Sequence, residues 1–318
     1  RHSGSAGRFV LNSGKALRIA TSDPLSRAAF LVVPVVDAGA TEAIGRLAAP
    51  VTLAQLEAVL ADRIVTADRV YFDRRESAVL AQRERRIGQL RLTEVALSSP
   101  SPEATVKAML DGVRAVGLTA LPWSPALRQW QARVMTVRRL FPEGTRHQLD
   151  AATDVDFWPP IDDATLTATV AEWLGPFLSG VTRVSHLARV DLRAAFESLL
   201  PYAAHAVLAR LTPTTMVLGS GREAPLKYEQ ESPPTLAMPL QEAFGMPLTP
   251  TIGDGRERVV LHLLSPARRP LQVTSDLEAF WVSAYPQVRK EMRGRSRKHV
   301  WPETPAEAPP SRTGLKHN

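Results

Sequence analysis

Three runs decide how the first third of this chain is read: Arg69-Val70-Tyr71-Phe72-Asp73, Val79-Leu80-Ala81-Gln82-Arg83 and Ile87-Gly88-Gln89-Leu90-Arg91-Leu92. Apolar residues recur at every second position, the period of a strand with one face in a core. The pattern turns Val70 and Phe72 inward and puts Arg69 and Tyr71 together on the opposite face. Leu90 and Leu92 likewise point inward and Arg91 outward. The runs therefore predict three strands in a meander.

Working outward from them, Ala29-Phe30-Leu31-Val32-Val33 is rich in β-branched residues and reads as another buried strand. Thr52 suits the cap of a short helix carrying Leu53, Leu56, Val59 and Leu60. Several strands around one short helix predict a small OB-like β-barrel over residues 1–99, with Arg1 to Gly7 frayed.

The texture changes at Ser99-Pro100. Ser101-Pro102-Glu103 is a helix start: a capping hydroxyl, then Pro in the first turn, then an acid near the positive helix end. Val106, Met109, Leu110 and Val113 follow at helical spacing, with Gly117 as the stop. Ser124-Pro125 opens a second helix whose stripe is Leu127, Trp130, Val134, Val137 and Phe141, with Arg128, Arg133, Arg138 and Arg139 on its other side. Asp162 or Asp163 opens a third helix through Trp173, and Asp191 a fourth. Residues 100–212 thus form a helical connector with a loop around Glu143 to Pro160. Thr215–Leu218, Leu226–Tyr228, Thr235–Met238 and Val259–Leu264 then read as strands. Thr274 or Ser275 caps a helix holding Leu277, Phe280 and Trp281, and Pro286 forces a kink or a restart. Residues 213–302 are a C-terminal α+β domain, and 303–318, poor in apolar residues, a disordered tail. The fold class expected is multidomain α+β.

Composition narrows the function. The 318 residues carry a net charge of +7, which favours an anionic partner or simply a solvated basic surface. There is no cysteine, so disulfides, thiolate metal sites and Cys nucleophiles are excluded, as suits a reducing cytoplasm. The longest apolar run, Ala28 to Val36, is far short of the ~20 residues of a membrane-spanning helix, so no membrane partner is expected. The chain begins at Arg1 rather than Met and reads as a fragment.

Catalytic signatures are absent from the sequence. Gly14-Lys15 is followed by Ala16 and lacks the earlier glycine of a phosphate-cradling loop. Gly219-Ser220-Gly221 joins two expected strands and reads as a hairpin turn. The seven histidines show no ligand pair at helical spacing, and no Gly-x-Ser-x-Gly elbow occurs. Asp162-Asp163 is more simply a helix cap than a pair of catalytic carboxylates.

Two basic regions are left. In the meander, Arg69, Tyr71, Arg74, Arg75, Arg83, Arg85, Arg86 and Arg91 interleave cations with an aromatic ring. That mixture suits single-stranded nucleic acid, cations along phosphates and rings under bases, or else a solvated strand face. At the C-terminus, Arg268, Arg269, Arg289, Lys290, Arg293, Arg295, Arg297, Lys298 and Arg312 form the second. Arg289, Arg293 and Arg297, with Lys298 beside them, fall one helical turn apart, either a phosphate track or arginines locking Trp281 and Trp301 in place.

The order Leu264-Ser265-Pro266-Ala267-Arg268-Arg269-Pro270-Leu271-Gln272-Val273-Thr274, Asp276-Leu277, Phe280-Trp281, Val288-Arg289-Lys290-Glu291-Met292-Arg293-Gly294-Arg295, Lys298-His299 and Trp301-Pro302 resembles the C-terminal signature of the bacterial HrpB-type ATP-dependent helicases, relatives of the DEAH-box RNA helicases. Supporting matches run from about Ala28 to Pro310, among them Leu121-Pro122-Trp123, Trp173-Leu174 and Phe244-Gly245. The chain departs from the family at Ser296-Arg297, where Tyr-Pro is usual, and at Thr304, where Asp is usual. The resemblance implies an accessory C-terminal region that meets single-stranded RNA or DNA. RecA-like domains of the same protein, with ATP and Mg, would supply the motor. It implies no catalytic residue in this chain, no cofactor of its own, and no ATP turnover by this chain alone. The rival is a protein-interaction or scaffold module that never touches nucleic acid.

Overall fold

The computed structural model describes residues 7–37, 42–144 and 158–311. The chain divides into two compact units, Arg1–Val116 with Leu178–Leu187, and Gly117–Phe177 with Ala188–Asn318. The N-terminal unit therefore runs past residue 99 to take in the first helix of the expected connector, and it includes Leu178–Leu187 besides.

In the N-terminal unit, β1 (Arg8–Val10), β2 (Ala16–Arg18), β3 (Phe30–Asp37) and β4 (Ala43–Val51) form a four-stranded sheet in the order β1-β2-β4-β3. Pairing is antiparallel except between β2 and β4. Next comes α1 (Leu53–Leu60), closed by a capping box in which Thr52 accepts from the Gln55 N–H and the Gln55 side chain accepts from the Thr52 N–H. A separate three-stranded antiparallel sheet follows, β5 (Val65–Asp73), β6 (Ala78–Ile87) and β7 (Leu90–Ala96).

The expected OB-like barrel is not closed. Among the described residues no strand of the first sheet pairs with a strand of the second. What joins them is apolar packing of Leu56, Ile87 and Leu92 with Phe30, Val51 and Leu60. Along β7 the alternation holds, with Leu92 buried and Arg91 exposed, but in β5 Val70, Tyr71 and Phe72 are all half-buried, and closure depends on edge-to-edge hydrogen bonds that no side-chain pattern encodes. The run Ile87–Leu92 is not one strand. Gly88 turns the chain at φ +54°, and a Cβ there would lie 2.5 Å from the Asn12 carbonyl oxygen, so β6 ends and β7 begins around it. The start of β6 gains an unforeseen neighbour from Leu178–Leu187: the Val79 N–H donates to the Thr182 carbonyl (2.7 Å) and the Val184 N–H to that of Ser77 (3.0 Å).

Helix α2 (Pro102–Val116) lies on this sheet at Gly112, whose missing side chain admits the Phe72 ring. A Cβ there would come within 2.5 Å of it.

In the C-terminal unit, α3 (Pro125–Leu140) starts at Ser124, whose hydroxyl accepts from the Leu127 N–H (3.1 Å). The expected third helix is broken at Thr169 into α4 (Asp163–Ala168) and α5 (Val170–Trp173). Asp162 caps α4, so the paired carboxylates are structural: Asp163 accepts from Arg128 (2.6 Å). Then come α6 (Leu192–Glu197), capped by Asp191, and α7 (Tyr202–Leu211). Trp123, Trp130 and Trp173 gather around Phe196, with ring centroids 5.1, 5.9 and 5.2 Å away.

The sheet of this unit has the order β14-β13-β10-β9-β8, from β8 (Thr215–Val217), β9 (Glu223–Glu229), β10 (Ser232–Pro239), β13 (Val260–Leu264) and β14 (Pro270–Thr274); β11 (Thr251–Ile252) and β12 (Glu257–Arg258) pair apart from it. Gly219–Arg222 is the expected turn between β8 and β9. Helix α8 (Leu277–Ser283) is capped by Asp276, not by Thr274 or Ser275, and α9 (Tyr285–Arg295) restarts with Pro286 in its first turn. Leu236, Leu261, Leu263, Phe244, Trp281 and Tyr285 are buried in one core.

The tail beyond 302 is not loose as far as Ser311. Pro305 and Ser311 bond backbone to backbone with Gly245 and Gln241, at 2.9 and 3.0 Å, while Ala306 and Ala308 pack on the core. Backbone hydrogen bonds and small apolar contacts hold it where composition alone suggested disorder. The expectations for residues 1–6, for the loop over 145–157 and for 312–318, Arg312 included, lie outside the described residues.

Candidate nucleic-acid interface

The meander places Arg69 and Tyr71 on a shared face, with the guanidinium 4.6 Å from the ring centroid. It also supplies each of the main arginines with an acid. Arg83 grips Asp68 with two hydrogen bonds of 2.6 and 2.9 Å. That clasp holds the Asp68 carboxyl below its ordinary pKa and raises that of Arg83. Arg85 pairs with Glu57, and Arg91 with Glu94. Glu84 sits in the buried register of β6, where it accepts from Gln82 (2.9 Å) and is flanked by Arg69 and Arg91 at 3.5 and 3.8 Å. A buried carboxylate without partners is costly, and these two arginines together with Gln82 offset that cost for Glu84. Arg74, Arg75 and Arg86 are exposed and without an ion pair among the described residues. They do not cluster: the β5–β6 register puts Arg86 opposite Val65 at one end, while Arg74 and Arg75 follow Asp73 at the other. Eight residues of strand separate the ends, about 26 Å.

The C-terminal region behaves differently. Arg289, Arg293, Arg297, His299 and Trp301 line one open cleft of about 360 Å³. Helix α9 presents Arg289 and Arg293 one turn apart. It ends at Arg295, so Arg297 arrives by the loop after Ser296. Arg289 is the anchored member: its Nε donates to the Trp301 carbonyl (3.0 Å) and its Nη2 to Glu303 (2.6 Å). This holds the Glu303 carboxyl below its ordinary pKa, with Arg293 adding to the effect. Arg293, Arg297 and Lys298 are exposed and have no ion pair among the described residues. Lys298 is not among the residues lining the cleft.

Trp301 is buried, and its indole N–H donates to the Ser296 carbonyl (3.1 Å), which fixes the loop that carries Arg297. The indole of Trp281 donates to the Met246 carbonyl (2.8 Å). Among the described residues no arginine stacks on either tryptophan, so it is a backbone bond from Arg289 that ties arginine to Trp301. Arg268 and Arg269, also read as basic signal, lie in the turn joining β13 and β14, where the Ser265 N–H donates to the Arg269 carbonyl (2.8 Å). Glu303 and His299 were not in the expected site. Their place follows from the chain doubling back after α9, which spacing along the helix does not foretell.

Among the described residues no cluster of His, Cys, Asp or Glu is arranged to hold a metal ion. No helix among them is long and apolar enough to cross a membrane.

Comparison with known proteins gives a consistent result. Residues 173–305 match the family described as ATP-dependent helicase C-terminal. The chain is similar along its whole length to the ATP-dependent RNA helicase HrpB of Escherichia coli strain K12, at 34% identity over 320 residues, and spans 38% of that protein. Among solved structures, that of the E. coli DExH-box NTPase HrpB aligns with 98% of this chain and 38% of its own at a TM-score of 0.62 and 35% identity. A second, of the E. coli DEAH/RHA helicase HrpB, aligns with 95% of this chain and 36% of its own at a TM-score of 0.54 and 32% identity. The resemblance carried by Leu264 to Trp301 thus extends through the rest of the chain, which is similar throughout to a C-terminal region of HrpB and spans well under half the length of these relatives.

Proposed function

We propose that this chain is the accessory region of an ATP-dependent helicase and holds an unpaired strand, RNA in the first instance, by its phosphates in the C-terminal cleft. The observation that carries this reading is the convergence of Arg289, Arg293, Arg297 and His299 on one open cleft with Glu303 as the nearby counter-charge. Arginine forks suit phosphate oxygens, and such contacts give binding that is indifferent to sequence and sensitive to salt. ATP, its Mg and the RecA-like core would belong to the part of the relative's length that this chain does not span, and the cytoplasm is the compartment such a motor would occupy. In the N-terminal sheet, Arg86 at one end and Arg74 and Arg75 at the other supply only scattered contacts, because Arg69, Arg83, Arg85 and Arg91 are engaged with acids.

A scaffold role is favoured by that same pairing in the sheet, and one experiment separates the two. Fluorescence anisotropy of a labelled single-stranded RNA is followed with the chain across a salt series. Binding that falls steeply with salt, and weakens in the Arg293→Ala/Arg297→Ala variant, supports the cleft. No binding at low salt would leave the scaffold role. The isolated chain should also show no ATP hydrolysis, and turnover above background would refute the division of labour.

A further inference from the structure

A second cavity in the C-terminal unit, of about 270 Å³, opens beside α3 and is lined by Ser124, Trp130, Arg133, Arg193, Glu197 and Thr214 among others. Its charge is unbalanced. Arg193 is paired with Glu197 at 2.7 Å, but Arg133 has no carboxylate among the described residues. Its guanidinium is anchored instead on two backbone carbonyls, those of Thr212 (2.5 Å) and Leu208 (3.3 Å), at the C-terminal end of α7. Burial pulls its pKa below the ordinary guanidinium value, yet arginine stays charged at neutral pH. The cavity therefore holds two cations and one anion.

Its aromatic wall is preset. The Trp130 indole is half-buried and in ring contact with Phe196 (5.9 Å, interplanar angle 84°) and His205 (6.4 Å, interplanar angle 33°). A ring already fixed by its neighbours loses little freedom when a ligand stacks on it. The Ser124 oxygen accepts from the Leu127 N–H and so keeps its own O–H as a donor, and Ser124 and Thr214 both line the cavity. The volume is just below the roughly 300–1,000 Å³ of ordinary small-molecule sites, room for one flat ring and its attached anion.

We infer that this cavity is a subsite for one unpaired nucleotide, its base stacked on Trp130 and its phosphate held by Arg193 and Arg133. The inference deepens the proposed function and rests on the reading that the chain engages single strands. It adds what the arginine cleft lacks, a contact that senses the base. The ligand chemistry is a nucleoside 5′-monophosphate unit, either within a strand or free.

To test it, the 318-residue chain is titrated at low salt with a uridine dodecamer, the same strand without bases, and uridine 5′-monophosphate, reading tryptophan fluorescence. The expected result is quenching by the dodecamer and roughly 5- to 150-fold weaker binding of the abasic strand, the range that stacking of one base gives. Trp130→Phe should remove the quenching while circular dichroism stays unchanged. Arg193→Ala, at a side chain 83% exposed, should weaken the dodecamer without touching the fold and decides the matter if the tryptophan variant misfolds. Quenching by the monophosphate in the Arg293→Ala/Arg297→Ala background would identify free nucleotide as a source; quenching by the dodecamer alone would identify the strand. Equal binding of both strands with no quenching by any ligand overturns the subsite and leaves the cleft standing. Quenching by the monophosphate with neither strand bound overturns the cleft and keeps the subsite. No response to any of the three overturns both.

Discussion

The β5–β7 sheet and the cleft at the end of α9 are both rich in arginine, and they use it in opposite ways. In the sheet, Asp68, Glu57, Glu94 and the buried Glu84 meet the guanidinium groups of Arg83, Arg85, Arg91 and Arg69. In the cleft, Arg289 alone is tied to an acid, Glu303, while Arg293 and Arg297 face solvent beside it. An arginine count therefore says little about an anionic ligand until the acids nearby are subtracted. Charge left over after pairing is what attracts a phosphate.

The contrast breaks most readily in the cleft. Arg293→Ala and Arg297→Ala should each lower the dependence of single-strand affinity on salt by about 1 in logarithmic slope and weaken binding roughly tenfold at low salt, whatever the sequence of the strand. A salt titration by anisotropy checks this, and an unchanged slope would remove the cleft from the interface. Smaller and opposite in sign is Glu303→Gln, which frees Arg289 from its acid. Affinity should rise roughly two- to five-fold, as expected for deleting one exposed like-charged competitor of the ligand. A fall would mean that Glu303 organises the cleft rather than competes within it.

A third test concerns the support beneath the cleft. Burial pushes the Tyr285 phenol up to about 12 from 10.0, and its hydroxyl donates to the Pro302 carbonyl (2.9 Å). The folded state therefore favours the neutral phenol. That stabilisation is complete below pH 10 and is lost as pH rises through about 12. Tyr285→Phe should cost about 1 kcal/mol at neutral pH through the lost hydrogen bond. It should also flatten the alkaline decline, which chemical denaturation at several pH values would reveal.

The smallest expected effect on binding is in the sheet. Arg83→Ala should leave strand affinity unchanged, whereas Arg69→Ala with Arg91→Ala should lower the stability of the N-terminal unit by about 1 kcal/mol by stripping Glu84 of its partners. A marked loss of affinity in either would restore the sheet as a binding face.

Much of the local structure was legible before any coordinates. Ser124-Pro125, Asp162, Asp191 and Thr52 start helices because a short polar side chain can take up free N–H groups whatever surrounds it. Pro286 restarts a helix because its ring cannot sit in a helix interior. Alternation along Leu90–Leu92 gave the inward face of β7, whereas Val70, Tyr71 and Phe72 of β5 are all half-buried, because the sheet has packing on both faces there. The third expected strand failed at Gly88, where a contact with Asn12, distant in sequence, sets the turn. Half of the site was legible too. Arg289 and Arg293 fall on one helix face by spacing, but Arg297 reaches the cleft through a loop pinned by the Trp301 indole. The cavity beside α3 was written as a stripe with Trp130 and an opposite side with Arg133, and nothing in that helix said the two would line one space.

Residue order alone carried the likeness to the HrpB C-terminal region, most of the helix starts and the inward face of β7, because capping chemistry and side-chain periodicity act over a few residues. The packed fold was needed to show that the two N-terminal sheets do not pair edge to edge among the described residues, that the tail packs as far as Ser311, and which arginines are cancelled by acids. Each of those depends on groups far apart in the chain meeting in space, where hydrogen-bond geometry and the few ångströms over which an ion pair forms settle the outcome.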